Sequence, residues 1–192
     1  MRWVKRFDRS QIWPKGGVMM KNLILFYSRK GENYAGGSIV RLEKGNTERV
    51  AEAIQQAVGG DLFELETVKP YAASYDQCIA EAKAELQENA RPQLKRYWKS
   101  LDGYGNVFVC GPCWWGTFPC AVFSQLERLD FTGKRVFPIM THEGSGLGRC
   151  EQDLKALCTG AVLGEGLAVL GSRAAESGEQ IAQWAKKAVN NS

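Results

Sequence analysis

From residue 21 onward, short apolar runs alternate with longer stretches that are apolar along one side only. Residues 22–27 (Asn-Leu-Ile-Leu-Phe-Tyr) are almost continuously apolar, as a central parallel strand buried on both faces requires. Asn46-Thr47 then opens an amphipathic helix, in which Val50, Ala51, Ile54, Ala57 and Val58 share one face and Gly59-Gly60 ends the run. Residues 62–65 predict a short second strand, with Phe63 and Leu65 alternating against acidic neighbours, and residues 74–90 a charged helix ahead of Arg91-Pro92. The pattern continues with a third strand at 107–110, a short helix at 119–126 and a fourth strand at 135–140. A helix at 147–157, a fifth strand at 167–170 and a terminal helix at 174–189 complete it. Pro138 conflicts with the fourth strand, because proline has no N–H to give to a ladder. Five strands alternating with five helices predict one α/β domain over residues 20–192. Its architecture is a three-layer αβα sandwich with right-handed crossovers and helices on both sheet faces.

In such a sandwich, ligands sit beyond the carboxyl ends of the strands, where the strand order reverses. Three loops fall there. The first contains Ser28-Arg29 and, after a glycine-containing insert at residues 30–44, resumes at Gly45-Asn46-Thr47. Hydroxyls and free N–H groups at a helix N-terminus suit a phosphate dianion; the plainer alternative is that Asn46 or Thr47 caps its own helix. No Gly-Lys-Ser/Thr follows, so the segment is not a Walker motif. The second loop, residues 111–117, places Trp114 and Trp115 where a strand stops, a poor position for core residues but a good wall for a flat aromatic ligand. Adjacent loop residues seldom face the same way, so burial is expected of one tryptophan at most. The third loop, residues 141–148, has glycines that let backbone N–H groups approach a ring edge, with Thr141 or Ser145 as hydrogen-bond partners.

Composition changes this picture in two places. The net charge of +4 lies entirely in residues 1–19, where Arg2, Lys5, Arg6, Arg9 and Lys15 face Asp8 alone. The remaining residues are balanced, so a folded basic surface for nucleic acid is not expected. Lys15-Gly16-Gly17 ahead of Met19-Met20 can be encoded by AAAGGAGGT, which resembles a bacterial ribosome-binding site. We therefore expect residues 1–19 to be a non-native leader, the competing reading being a basic docking arm. No apolar stretch approaches the roughly 20 residues of a membrane span, and no secretory h-region is present, so a cytoplasmic location without membrane contact is expected. Six irregularly spaced cysteines do not make a disulfide framework.

Four segments together carry a family resemblance. They are Tyr27-Ser28-Arg29, Gly45-Asn46-Thr47-Glu48, Gly111-Pro112-Cys113-Trp114-Trp115-Gly116-Thr117 and Thr141-His142-Glu143-Gly144-Ser145-Gly146. Over residues 20–190 the chain resembles a bacterial flavodoxin with an enlarged first loop. That resemblance implies a flavodoxin-like five-stranded parallel sheet in the order 2-1-3-4-5, with FMN as cofactor. It implies that Ser28, Arg29, Asn46 and Thr47 hold the phosphate. Pro112, Cys113, Trp114, Trp115, Gly116 and Thr117 would flank the ribityl chain and one ring face, with one tryptophan stacked on the ring and Gly116 as the hinge of the loop. Thr141, Glu143, Gly144, Ser145 and Gly146 would line the ring edge. The insert at 30–44 is expected to fold over the cofactor, with Asn33 or Tyr34 reaching it.

The resemblance implies a one-electron carrier between redox partner proteins, with no catalytic residue of its own. Two alternatives stay open: an FMN-dependent NAD(P)H:quinone reductase on the same fold, and an FMN domain whose redox state a partner reads. Whether the chain is an enzyme is therefore left open. Cys110-Gly-Pro-Cys113 has the letters of a thioredoxin motif, but Cys110 ends a buried strand and no helix starts at Cys113, so dithiol catalysis is not expected. Cys78, Cys120, Cys150 and Cys158 supply no second Cys-x-x-Cys pair for zinc. His142 and Ser145 lack the nucleophile elbow of a hydrolase.

Overall fold

A computed structural model of the protein describes residues 20–190. The leader expected at residues 1–19 lies outside the described residues. The central sheet is built on β1 (Lys21–Phe26), flanked by β4 (Asp61–Glu64) on one side and β5 (Tyr104–Pro112) on the other. Beyond β5 lies β6 (Arg135–His142), then β7 (Val162–Leu163) and β8 (Leu167–Leu170), both paired with β6. Every pairing in this sheet is parallel. The order is the one expected, with β4, β1, β5 and β6 in the places of strands 2, 1, 3 and 4.

The expected fifth strand forms over Leu167–Leu170, but a two-residue strand, β7, precedes it on the same neighbour, so the sheet has six strands among the described residues and not five, and Pro138 is the reason the two are separate. Val136 turns its carbonyl toward the outer strand and accepts from Gly164 N–H (2.9 Å). Pro138, two residues on, faces the same neighbour without an N–H to offer, and pairing stops between Val136↔Leu163 and Ile139↔Leu167. The chain detours there through Gly164 and Gly166, where an added Cβ would fall 2.1 Å from the Phe137 ring and 3.0 Å from Pro138.

Helices cover both sheet faces. On one, α1 (Asn46–Val58) and α5 (Gly178–Asn190) pack Val50, Ala51, Ile54, Ile181 and Ala185 against Ile24, Phe26, Phe108 and Ile139. On the other, α3 (Cys120–Leu126) and α4 (Cys150–Leu157) cover Leu23, Leu25, Val107, Val109 and Met140 with Ala121, Val122, Leu126 and Leu154. Residues 107–110 are fully buried, which is why they read as an unbroken apolar run. The charged helix α2 (Tyr75–Gln87) buries only Cys78 and Ala82. Two helices start later than their periodicity predicts. Gly146 and Gly148 sit at positive φ ahead of α4, and a single 3-10 turn (Gly171–Arg173) precedes α5.

The insert at residues 30–44 is a β-hairpin, not a loop. β2 (Gly31–Ala35) and β3 (Ser38–Leu42) form a separate antiparallel pair. Gly36 and Gly37, with φ of +60° and +91°, make the two-residue turn that such hairpins favour. Among the described residues no helix is long and apolar enough to cross a membrane.

Candidate functional site

β1, β5 and β6 all end on one edge of the sheet, and a cavity of about 290 Å³ opens there. Its floor is the start of α1. The residue before that helix, Gly45, brings no side-chain cap of its own, and Ser28 from the end of β1 supplies one by accepting the Glu48 N–H (3.0 Å). Asn46 and Thr47 are therefore not used as caps. Thr47 Oγ1 meets Thr141 Oγ1 from β6 at 2.7 Å, and both threonines are buried. The Asn46 side chain and the first-turn N–H groups of Asn46 and Thr47 have no protein partner among the described residues, as helix geometry leaves them.

Arg29 lines the cavity, and its Nε and Nη2 donate to the neutral carbonyls of Glu32 and Ala73, each at 2.8 Å, which fix the guanidinium without cancelling its charge. Lys30 pairs with Glu48 at 3.3 Å. Gly171, after β8, borders the same floor. A Cβ there would fall 2.9 Å from Asn46 Nδ2 and 2.8 Å from Glu143 Oε1, so glycine keeps the floor open where these two side chains converge. The arrangement is an anion cradle at a helix N-terminus with the Arg29 guanidinium beside it.

The aromatic part of the site comes from the loop after β5. Trp114 lines the cavity and packs edge-on against Tyr27 and Tyr71, with ring centroids 5.4 and 5.0 Å away. Burial, and then the hydrogen bond to Glu85, push the Tyr71 phenol up, which keeps this aromatic box uncharged. Trp115 turns the other way. Trp114 and Thr117 exchange both backbone hydrogen bonds, and the two residues between them, Trp115 (φ +54°) and Gly116 (φ +83°), are left-handed: a type I′ turn. Holding a tryptophan there costs about 1–2 kcal/mol. Its indole N–H to Ile79 O (2.9 Å) and Lys83 above its ring (4.9 Å) oppose that cost.

The cavity thus brings together Arg29, Asn46, Thr47, Pro112, Cys113, Trp114, Thr141, Glu143 and Ser145 of the residues expected from sequence. Six others lie elsewhere. Ser28 is the cap of α1, and Trp115 packs on α2. Gly116 offers its carbonyl to Arg149 N–H (2.9 Å), which ties the supposed hinge to the start of α4. Thr117 is fully buried and donates to Asp153. Gly144 and Gly146 shape the third loop without lining the cavity. Glu143 faces Asn46 and the hairpin, accepting from Gly36 N–H (3.0 Å) and Ser172 N–H. Sequence reasoning missed Tyr75 and Gly171. Gly171 was within reach of the rule used for the other loops, since it follows the fifth strand on the same edge. Tyr75 begins a helix remote in sequence and gave no signal.

The six cysteines are free, and five are buried. Burial pushes the thiols of Cys78 and Cys120 up to about 11 and those of Cys150 and Cys158 up to about 12, with Cys110 higher still. Iodoacetamide at pH 8 is therefore expected to label Cys113 alone in the folded protein and all six thiols after unfolding, read by mass spectrometry. Labelling of folded Cys110 would restore the dithiol alternative. Unfolded thiols ionise near pH 8.5. Their contribution to stability is thus complete below that pH and is lost as pH rises toward 11–12.

An αβα sandwich with an anion cradle and an aromatic wall at the carboxyl edge of β1, β5 and β6 defines a nucleotide-binding α/β protein. The flavodoxin family model matches residues 42–188, and the chain belongs to the flavodoxin family. A crystal structure of a flavoprotein candidate from Bacteroides uniformis is 27% identical, with a TM-score of 0.67, covering 87% of this chain and 98% of that one. A flavoprotein from Lactobacillus acidophilus in complex with FMN is 18% identical, with a TM-score of 0.56, covering 78% and 93%. A flavodoxin from Streptococcus pneumoniae is 17% identical, with a TM-score of 0.50, covering 89% and 99%. No curated protein matches the chain in sequence.

Proposed function

We propose that the chain binds FMN and carries single electrons between redox partner proteins. The observation that carries this is one cavity with two chemically distinct ends, hydrogen-bond donors at the N-terminus of α1 with Arg29 beside them, and the Trp114 side chain. Unpaired N–H groups, the Asn46 amide and the Thr47–Thr141 hydroxyls fit a phosphate monoester. The apolar box around Trp114 fits a flat ring system. FMN, when bound, supplies the electron-accepting chemistry of its ring. The protein's part is to orient the ring and to keep water from it, with the Cys113 thiol in the cavity wall. The strained 114–117 turn fixes Trp114 in the cavity wall. The Cys110 thiol, fully buried and held protonated, stays out of the chemistry.

A cavity of about 290 Å³ is at the small end of ligand sites. Anaerobic stepwise photoreduction of the FMN-loaded protein tests the reading. A long-wavelength absorption band that grows and then bleaches is the expected result. Direct passage from yellow to colourless, with rapid oxidation of added NAD(P)H, would replace the carrier by a reductase.

A further inference from the structure

The hairpin β2–β3 is the element least able to stand alone. Five residue pairs, from Gly31↔Leu42 to Ala35↔Ser38, form a two-stranded sheet with no partner strand, which is marginal in water unless something holds it. Polar contacts at both ends do so. At the tip, Glu143 accepts from Gly36 N–H of the hairpin and from Ser172 N–H of the turn after β8. At the base, Glu32 accepts the Tyr75 N–H (2.8 Å), and the Arg29 guanidinium spans the carbonyls of Glu32 and Ala73. The hairpin is thereby tied to α2 and to the end of β8, on either side of the cavity.

Held in this way, it carries Tyr34 to Tyr75 at the start of α2. Their ring centroids are 6.4 Å apart and their planes inclined by 30°. Both tyrosines line the cavity that Trp114 also lines, and Tyr34 keeps 43% of its surface exposed. A tyrosine that only anchored the hairpin would be expected to bury more of its ring. On the reading of the site as FMN-binding, we propose that Tyr34 and Tyr75 form a second aromatic wall for the flavin ring. The hairpin is the strap that presents this wall, and Glu143 and Glu32 are its fastenings. Tyr34 lies on the hairpin inserted into the first strand-end loop and Tyr75 at the start of α2, so this part of the site is built from the insert and from a helix outside the three loops.

Fluorescence titration with FMN and with riboflavin tests the assignment on the wild-type protein and on Tyr34→Ala, Tyr75→Ala, Tyr34→Phe and Ile39→Ala. Each alanine variant at the tyrosines is expected to bind both ligands about tenfold more weakly, the usual effect of removing one stacking side chain. Tyr34→Phe is expected to retain binding of both. Ile39 lies across the hairpin from Tyr34, is exposed and does not line the cavity, so Ile39→Ala is expected to change neither affinity. A loss confined to FMN would put the tyrosines at the phosphate end and overturn the proposal, as would unchanged affinities in the Tyr34→Ala protein. Tyr34→Ala alters an exposed side chain and carries the test even if Tyr75→Ala does not fold. Failure of the wild-type protein to bind FMN would remove the functional reading itself, an outcome distinct from failure of the strap.

Discussion

Gly45→Ala is expected to abolish FMN binding and to destabilise the fold by about 1–3 kcal/mol, the range for overpacking a closed site. An added Cβ would lie 2.1 Å from Ser28 Oγ and 2.6 Å from the Arg29 carbonyl oxygen. The first clash displaces the hydroxyl that caps α1. The second is with backbone, which cannot rotate away. Gly45 has φ −66°, an ordinary value for alanine, so the penalty is steric and falls on the junction that presents the Asn46 and Thr47 N–H groups. Gly103→Ala is the matching control. It has open space around it but φ +79°, so it costs about 1–2 kcal/mol of backbone strain and leaves the cradle intact. Urea denaturation and FMN titration of the two variants decide the matter. A Gly45→Ala protein with near wild-type FMN affinity would show that the cofactor is held elsewhere.

Thr47→Val is expected to lower FMN affinity by 10- to 100-fold and to leave riboflavin affinity within about twofold. A hydrogen bond to a charged group contributes about 1.5–3 kcal/mol, and each 1.4 kcal/mol is tenfold. Riboflavin lacks the phosphate, so it reports the ring end of the site alone. The same substitution leaves the buried Thr141 hydroxyl without its partner, at a cost of about 1–3 kcal/mol to the ligand-free protein. Thr47→Val with Thr141→Val removes both hydroxyls together, so the double variant should be less destabilised than the two single losses combined. Equal loss of riboflavin and FMN would place Thr47 at the ring and refute its assignment to the phosphate.

The layers of the fold were legible because burial imposes composition. A strand covered on both faces has to be apolar throughout, and residues 22–27 and 107–110 show it. The helix at 46–58 announced itself by the spacing of Val50, Ala51 and Ile54 and by Gly59-Gly60. The hairpin was not read from the sequence, although Gly36-Gly37 marks its turn, because its strands have no buried face and therefore no clear alternation. Pro138 was recognised as a conflict. Which neighbour it would disrupt depended on the direction in which its peptide faces.

At the site, local chemistry named the three loops, and the sequence alone raised the expectation of a phosphate-like group and a flat ring at the strand ends. Which side chains reach them was decided by contacts between residues far apart in the chain. Ser28 serves α1 because Gly45 brings no cap, and Thr47 faces Thr141 across 94 positions. Trp114 faces inward and Trp115 outward because the turn from Trp114 to Thr117 is left-handed at Trp115 and Gly116. Tyr75 and Gly171 enter the cavity only because α2 and β8 pack where they do. Periodicity and composition record what each residue does with water. They do not record which distant residue it meets, and the identity of a binding site is a matter of such meetings.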